Sequence, residues 1–249
     1  MNMAAGTRLP GKGKNAFGWR RKATPYFFVA PYFLIFLSFS IFPIVFSIYV
    51  SLMDWNGFTA GTFVGLNNYA SLVRDPRFYK ALGNTFLLMA MIIPPQIFLG
   101  LSIALLLNTK NLPFRKGFRL LNILPYLTAS IALGMIFSML FDSNFGSINQ
   151  ALKIIGIKTP PDWINRKWPA RWMVAMVTVW RYAGYTSVLF LAGITNISPD
   201  LYEAAEIDGA NGFQRILHII LPLLRSVTVF VILTTMIGCF QIFEEPFMI

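Results

Sequence analysis

An all-α polytopic membrane protein is the fold class this sequence predicts, on three observations. Of its 249 residues, 56% are hydrophobic and only 12% are charged, too apolar a balance for an ordinary water-soluble domain. Four charge-free runs, at 23–53, 81–109, 120–141 and 226–243, approach or exceed the roughly 20 residues needed to cross ~30 Å of hydrocarbon. A fifth, 172–193, is interrupted only by Arg181. Five such runs leave too little polar sequence to cover them in water, which excludes a soluble protein with buried helices.

The first element is a basic tail, 1–24, carrying Arg8, Lys12, Lys14, Arg20, Arg21 and Lys22 and no acid. The stretch after it, 25–52, is about twice the length of a signal-peptide core and has no small-residue cleavage site before Asp54. It is therefore read as a retained first span with a cytoplasmic N-terminus, bent by Pro31 and Pro43. The periplasmic loop 53–80 contains GLNNYASLVRDPRFY, which suits a short interfacial helix with Tyr69, Phe78 and Tyr79 at headgroup depth.

Span 81–107 holds Pro94 and Pro95, which mark either a packing kink or a broken helix beside a translocation path. A third span follows at 120–141. The outside loop after it contains Pro160 and Pro161 and exposes Trp163 and Trp168 to a partner or to headgroups. Spans 172–194 and 223–243 flank a cytoplasmic segment, 195–222.

This order agrees with the bias of Lys and Arg toward the cytoplasmic side, twelve against eight outside, with Arg181 left inside a span. The net charge of +11 is thus a topology signal. A nucleic-acid-binding face is excluded because the basic residues bracket spans rather than interleave with exposed aromatics. The single cysteine, Cys239, lies in the last apolar run, so no disulfide framework or thiolate metal site is available; it reads as lipid-facing or helix packing.

The segment NISPDLYEAAEIDGANGFQRILHIILP carries the most information. Ser198 can cap free amides, Pro199 fits the first helical position, and Asp200 and Glu203 lie near the positive end of the dipole. Gly209 supplies a stop, and a second helical stretch from about Asn211 leads into Pro222. A short cytoplasmic helix bearing four acids is either a plain surface helix or a docking element. Ala204 and Ala205 would let another protein approach, and Glu203 and Asp208 could accept charge-assisted hydrogen bonds from it.

Arg181 costs roughly 2.5–3.5 kcal/mol at the centre of a span and must face protein or water. It contacts substrate, pairs with a carboxylate of a partner subunit, or sits in a span shifted toward the interface. Tyr182 and Tyr185 share one stripe at i and i+3, and aromatic faces with hydroxyl handles suit sugar rings as well as helix packing. Gln241 is a further candidate, as an amide buried in an apolar helix. His218 stands alone, which indicates packing or an interface. A phosphate-loop search returns only residues 6–13, GTRLPGKG, which lack the Ser or Thr and the preceding strand.

The segment at 203–222, with Glu203-Ala204-Ala205, then Asp208-Gly209-Ala210, then Leu221-Pro222, resembles the EAA loop of permease subunits of bacterial binding-protein-dependent ABC importers. FVGLNNYASLVRDPRFYKALGNT, FGSINQAL and LFLAGITNISPDLYEAA are similar to the carbohydrate-uptake branch, with the maltose and glycerol-phosphate permeases nearest in pattern. The resemblance implies a type I ABC importer transmembrane fold over 81–249, in the bacterial inner membrane, with five of an expected six spans before Ile249. It implies a coupling helix whose Glu203, Ala204, Ala205, Asp208 and Gly209 contact a cytoplasmic ATPase subunit.

The partners implied are a second homologous permease, a dimer of ATPase subunits and a periplasmic or lipid-anchored sugar-binding protein. ATP and Mg²⁺ would lie on the ATPase subunits, and no cofactor on this chain, which would be a transport subunit and not an enzyme. The function implied is uptake of a sugar or sugar derivative by alternating access. Open alternatives are a truncated permease-like subunit that assembles without transporting, an importer of another solute such as a polyamine or phosphate, and a multispan membrane enzyme. The last lacks any His, Asp or Glu cluster at a membrane face.

Overall fold

The computed structural model describes residues 14–109, 112–243 and 246, with side chains from residue 24 onward. The phosphate-loop-like stretch 6–13 and the first basic residues of the tail lie outside them. The chain divides into two units at residues 78 and 79.

In the first unit, helix α1 (Lys14–Phe36) begins inside the basic tail and passes through a π-turn (Leu37–Ile41) into α2 (Phe42–Ser51). The π-turn ends two residues before Pro43. A proline has no amide to donate and its ring crowds the carbonyl four residues back, so a widened turn lets the helix continue past it. Residues Thr24–Ser51 are apolar all round, and none of their most apolar window is buried within the structure. Such a helix is suited to lipid rather than to a protein core.

The loop after α2 is ordered locally. Strand β1 (Met53–Asp54) pairs antiparallel with β2 (Thr62–Phe63), and helix α3 (Asn67–Arg74) follows. Asn68 on α3 donates to the carbonyls of Ser51 and Met53 at 3.0 and 2.9 Å, and the Ser51 and Tyr69 hydroxyls are 2.7 Å apart. Of the three interfacial aromatics the sequence suggests, only Tyr69 is on this helix. Phe78 and Tyr79 belong to α4 (Pro76–Asn108), which starts at Pro76 because proline is favoured in a first turn.

The second unit contains most of α4, which runs unbroken through Pro94 and Pro95. The third span is not one helix. α5 (Arg115–Leu127) and α6 (Ser130–Leu140) meet at 93°, with Thr128 and Ala129 extended between them. Pro125 in the last turn of α5 and the Thr128 hydroxyl bonded back to Leu124 O end the first helix, a break that apolarity alone does not reveal.

In the loop after α6, α7 (Ser147–Ile154) is followed by a polar knot. The Asp162 carboxylate accepts from the Ser143 hydroxyl at 2.8 Å and from the Asn165 amides, while buried Asn149 accepts from Trp163 Nε1 at 2.8 Å. Trp163 also packs edge-on against Phe141 at 5.1 Å, so it belongs to the loop's own core rather than being displayed outward. Trp168 does remain exposed, with the Arg171 guanidinium 5.0 Å above its ring.

Helix α8 (Lys167–Thr195) is the hub. Its window for membrane crossing is 61% buried, although it is less apolar than either other long helix. Gly184 on α8 sits against the Asn122 carbonyl of α5, with no room for a Cβ, and a Cβ on Gly193 would lie 2.5 Å from Leu224 Cδ2. After α8 come α9 (Pro199–Ile207), α10 (Gly212–Arg215), a π-turn (Ile216–Ile220), α11 (Leu221–Leu223) and α12 (Arg225–Phe240). The second π-turn again ends two residues before a proline, Pro222. The helix then bends by 66° into α12.

Three helices are long and apolar enough to span a bilayer, or up to five if each bent pair is one span, among the described residues. The predicted architecture therefore stands, with two of its five spans broken.

Candidate functional site

Helices α4, α5, α8 and α12 enclose a cavity of about 410 Å³, within the ~300–1,000 Å³ common for small-molecule sites. Arg181, at the midpoint of α8, lies in its wall with Tyr182 and Tyr185, so the three candidates from this helix are brought together. The Arg181 guanidinium donates to the Ser130 hydroxyl at 2.7 Å and lies 5.4 Å above the Tyr182 ring. Ser130 is the first residue of α6, immediately beyond the break in the third span.

Tyr126, on the other side of that break, completes an aromatic wall. Its ring stacks on Tyr185 at 4.8 Å with a 19° interplanar angle, and meets Tyr182 edge-on at 5.7 Å. Tyr126, before the break, thus lines the cavity, and Ser130, just after it, holds the Arg181 guanidinium.

The opposite side is polar and comes from α4 and α12. Gln96 is buried, and its amide nitrogen donates to the Thr186 hydroxyl at 2.9 Å and reaches that of Thr235 at 3.4 Å. Thr178 also lines the cavity, its hydroxyl bonded back to Val174 O.

Gln241 lines the cavity too, but not as a buried amide within a span. It follows the last residue of α12 and is exposed, its backbone N–H bonded to Gly238 O. Cys239, one turn from Thr235 on the same helix, is buried against Met89, Ile92, Ala175 and Val179 and borders the cavity.

Gln96, Tyr126, Thr178, Thr186 and Thr235 were not singled out from the sequence. A signal existed for Gln96, because the reasoning applied to Gln241, an amide inside an apolar run, holds equally for it. The threonines carry no such mark, since each can satisfy its hydroxyl within its own helix.

Away from the cavity, α9 has the local structure its sequence predicts. The Ser198 hydroxyl accepts from Asp200 N, Pro199 opens the helix, and Gly209 closes it at a φ of +76°. Glu203, Ala204, Asp208 and Gly209 are exposed and Ala205 half-buried, while Ile207 is 87% exposed beside them.

The inner side of α9 is anchored. Tyr202 packs against the cluster of Ala104, Phe190, Ile194 and Leu224, where burial pushes its hydroxyl pKa upward. The helix is thus exposed on one face, while Tyr202 on the other packs against the buried cluster. His218 sits in the π-turn beyond it, exposed, with Nδ1 3.1 Å from Gln214 O.

Comparison with known proteins agrees with this arrangement. The arabinooligosaccharide transport system permease AraP of Bacillus subtilis (strain 168) is 38% identical over 97% of this chain and 78% of its own length. The lactose transport system permease LacF of Rhizobium radiobacter is 32% identical over 88% of this chain and 74% of its own. Among solved structures, a bacterial alginate ABC transporter in complex with a periplasmic protein carrying an alginate pentasaccharide superimposes with a TM-score of 0.75. That match covers 91% of this chain and 75% of the other at 22% identity, a likeness of fold. Residues 96–243 match the profile of one family, and on these findings the chain belongs to the inner membrane components of binding-protein-dependent transport systems.

Proposed function

We propose that this chain is a channel-forming permease subunit of an ATP-driven importer and moves a sugar or sugar derivative inward across the cytoplasmic membrane. The observation that carries the reading is the cavity at the middle of α8, whose walls pair three tyrosine rings with an array of hydroxyl and amide groups. Tyrosine faces pack on the C–H faces of a pyranose or furanose ring, and Thr and Gln groups hydrogen-bond its hydroxyls. The saccharides named for the relatives, arabinooligosaccharides and lactose, have this chemistry.

Transport would proceed by alternating access. A binding protein delivers the saccharide from outside, and a dimer of cytoplasmic ATPase subunits, holding ATP and Mg²⁺, supplies the free energy. Helix α9 is the coupling element in this scheme: Glu203, Ala204, Ala205, Asp208 and Gly209, with the exposed Ile207, enter a groove of one ATPase subunit. Tyr202 relays its movement, being packed against Phe190 and Ile194 of α8 and against Leu224 at the bend before α12. A second homologous permease completes the pathway, and the N-terminus and α9 share the cytoplasmic side.

The test is uptake by the complete transporter in proteoliposomes, with labelled arabinotriose, lactose and maltotriose as probes. Accumulation that requires both ATP and the binding protein is expected for at least one of them. No uptake of any, or uptake unaffected by deleting this subunit, defeats the proposal. Cysteines placed at Glu203 and Ile207 should crosslink to the ATPase subunit; crosslinking from the opposite side of the membrane would reverse the assigned topology.

A further inference from the structure

Residues 53–73 carry a single charge, that of Asp54, and display a series of large apolar side chains. Phe58, in the turn between β1 and β2, is 96% exposed, Phe63 on β2 is 73% exposed and Leu66 before α3 is 70% exposed. On α3 itself Tyr69, Leu72 and Val73, at i, i+3 and i+4, share one face and are exposed as well. Apolar surface of this extent marks a place where something other than water is met.

The exposure of Phe58 is built into the turn. Asn56 Oδ1 accepts from the backbone N–H groups of Phe58 and Thr59 and from the Thr59 hydroxyl, each at 3.0 Å. Trp55 Nε1 donates to Thr59 O at 2.7 Å. Gly57 takes a φ of +87°, which glycine adopts without a steric cost. These polar groups are paired with one another, so the turn loses few hydrogen bonds to water when it enters a less polar medium.

Contacts with α2 set the level of both elements. The Trp55 ring meets Phe46 edge-on at 5.9 Å, and Phe46 lies five residues, about 7.5 Å at 1.5 Å per residue, inward of the end of α2 at Ser51. Gly61 lets the second arm of the hairpin close over that indole, since a Cβ there would lie 3.0 Å from Trp55 Cβ. Asn68 and Tyr69 bind α3 to Ser51 at the same helix end. The apolar surface of hairpin and α3 is therefore continuous with that of the candidate span Thr24–Ser51, whose Phe42, Val45 and Tyr49 are exposed too.

We propose that the hairpin and α3 form one interfacial membrane anchor, in which Phe58 enters the boundary between phospholipid headgroups and acyl chains at the Ser51 end of the first span. Tyr69, Leu72 and Val73 lie in the same layer, and exposed Arg74, in the last turn of α3, offers a cation to a headgroup phosphate. A lipid surface fits because the patch adjoins an apolar span and contains no ion besides Asp54 that a protein partner could pair with. Held at two points to the end of α2, the anchor fixes the depth of the first span in the bilayer. None of this depends on the cargo.

The test uses the complete transporter in nanodiscs of phosphatidylethanolamine and phosphatidylglycerol. Photoreactive p-benzoylphenylalanine in place of Phe58 should give a lipid adduct on this chain, read by mass spectrometry. Nitroxide labels on Phe58→Cys and Val73→Cys, in a chain whose native Cys239 is buried, should collide more often with oxygen than with water-soluble nickel EDDA. Both side chains are exposed, so neither replacement removes packing within the chain. A label at position 58 that collides more often with the nickel reagent overturns the anchor. Crosslinking of position 58 to another protein subunit, or protection of both labels only after the binding protein is added, overturns it in favour of a protein-docking face.

Discussion

The segment Thr24–Ser51 and helix α8 are both long enough to cross a bilayer, and the less apolar of the two is the one that packs. The first has a mean hydropathy of 2.4 over its best window and buries none of it inside the structure; the second has 1.2 and buries 61%. In water the order would be reversed, because apolar surface would seek the core. In lipid, hydrocarbon tails solvate Phe and Leu as well as another helix does, so association depends on close backbone approach and polar contacts. Helix α8 supplies both, with Gly184 and Gly193 at crossings and Thr178, Thr186 and Ser187 buried beside them. The first segment, with Phe27, Phe28, Phe39 and Phe42 all exposed, supplies neither.

The sharpest way to break this contrast is Gly184→Leu. The atom opposite is the backbone carbonyl of Asn122, which cannot rotate away, so the change should cost about 3 kcal/mol or more and abolish folded complex. Membrane abundance and thermal unfolding in detergent would show this, and a stable Gly184→Leu protein would refute the hub role of α8.

Next in size is Gly209→Val. Nothing lies within 4 Å of its Cβ position, so the cost is backbone strain at φ +76°, roughly 1–2 kcal/mol confined to the end of α9. Uptake should fall at least tenfold while membrane abundance holds. Normal uptake together with normal ATPase binding would remove α9 from the coupling route.

A smaller effect is expected where the loop after α7 leads into α8. Hydrogen bonds from the Asn165 backbone, the Ser143 hydroxyl and the Asn165 side chain hold the Asp162 pKa below its usual 3.8. Their contribution is therefore complete above that value and disappears as pH falls through the lower, folded value. Pepsin cleavage within 142–166 should rise only below about pH 4 in the native protein. In Asp162→Asn it should be raised already at pH 5, with little further change on acidification.

Smallest of all is Leu34→Ala in the first segment, which exchanges one exposed apolar group for another. Its effect on thermal unfolding should stay within ~0.5 kcal/mol, and a loss of several times that would show a protein partner on this surface.

The helical character of the first segment is legible from its sequence, because a long run without charges suffices for an apolar helix. Helix α9 was legible too, since the cap at Ser198, the proline at the first position and the glycine stop at 209 are all local. The 93° break at Thr128 and Ala129 within 120–141 is not legible, because it leaves the hydrophobic run intact. Of the cavity, the α8 stripe of Arg181, Tyr182 and Tyr185 was found from helical spacing. Gln241 was expected in the interior of a helix that in fact ends one residue earlier.

What the sequence determined by itself is everything set by solvent and near neighbours: the membrane location, the order of spans, the caps and stops, and the acidic helix between the fourth and fifth spans. What only the tertiary structure decided is which polar groups face one another. Gln96 and Thr186 are 90 positions apart and meet because Gly100 lets two helices approach. Tyr126 reaches Tyr185 because Gly184 lets α5 lie against α8. Hydrophobic periodicity records whether a residue leaves water, and in a bilayer nearly all of them do, so it carries little information about which partner each one finds.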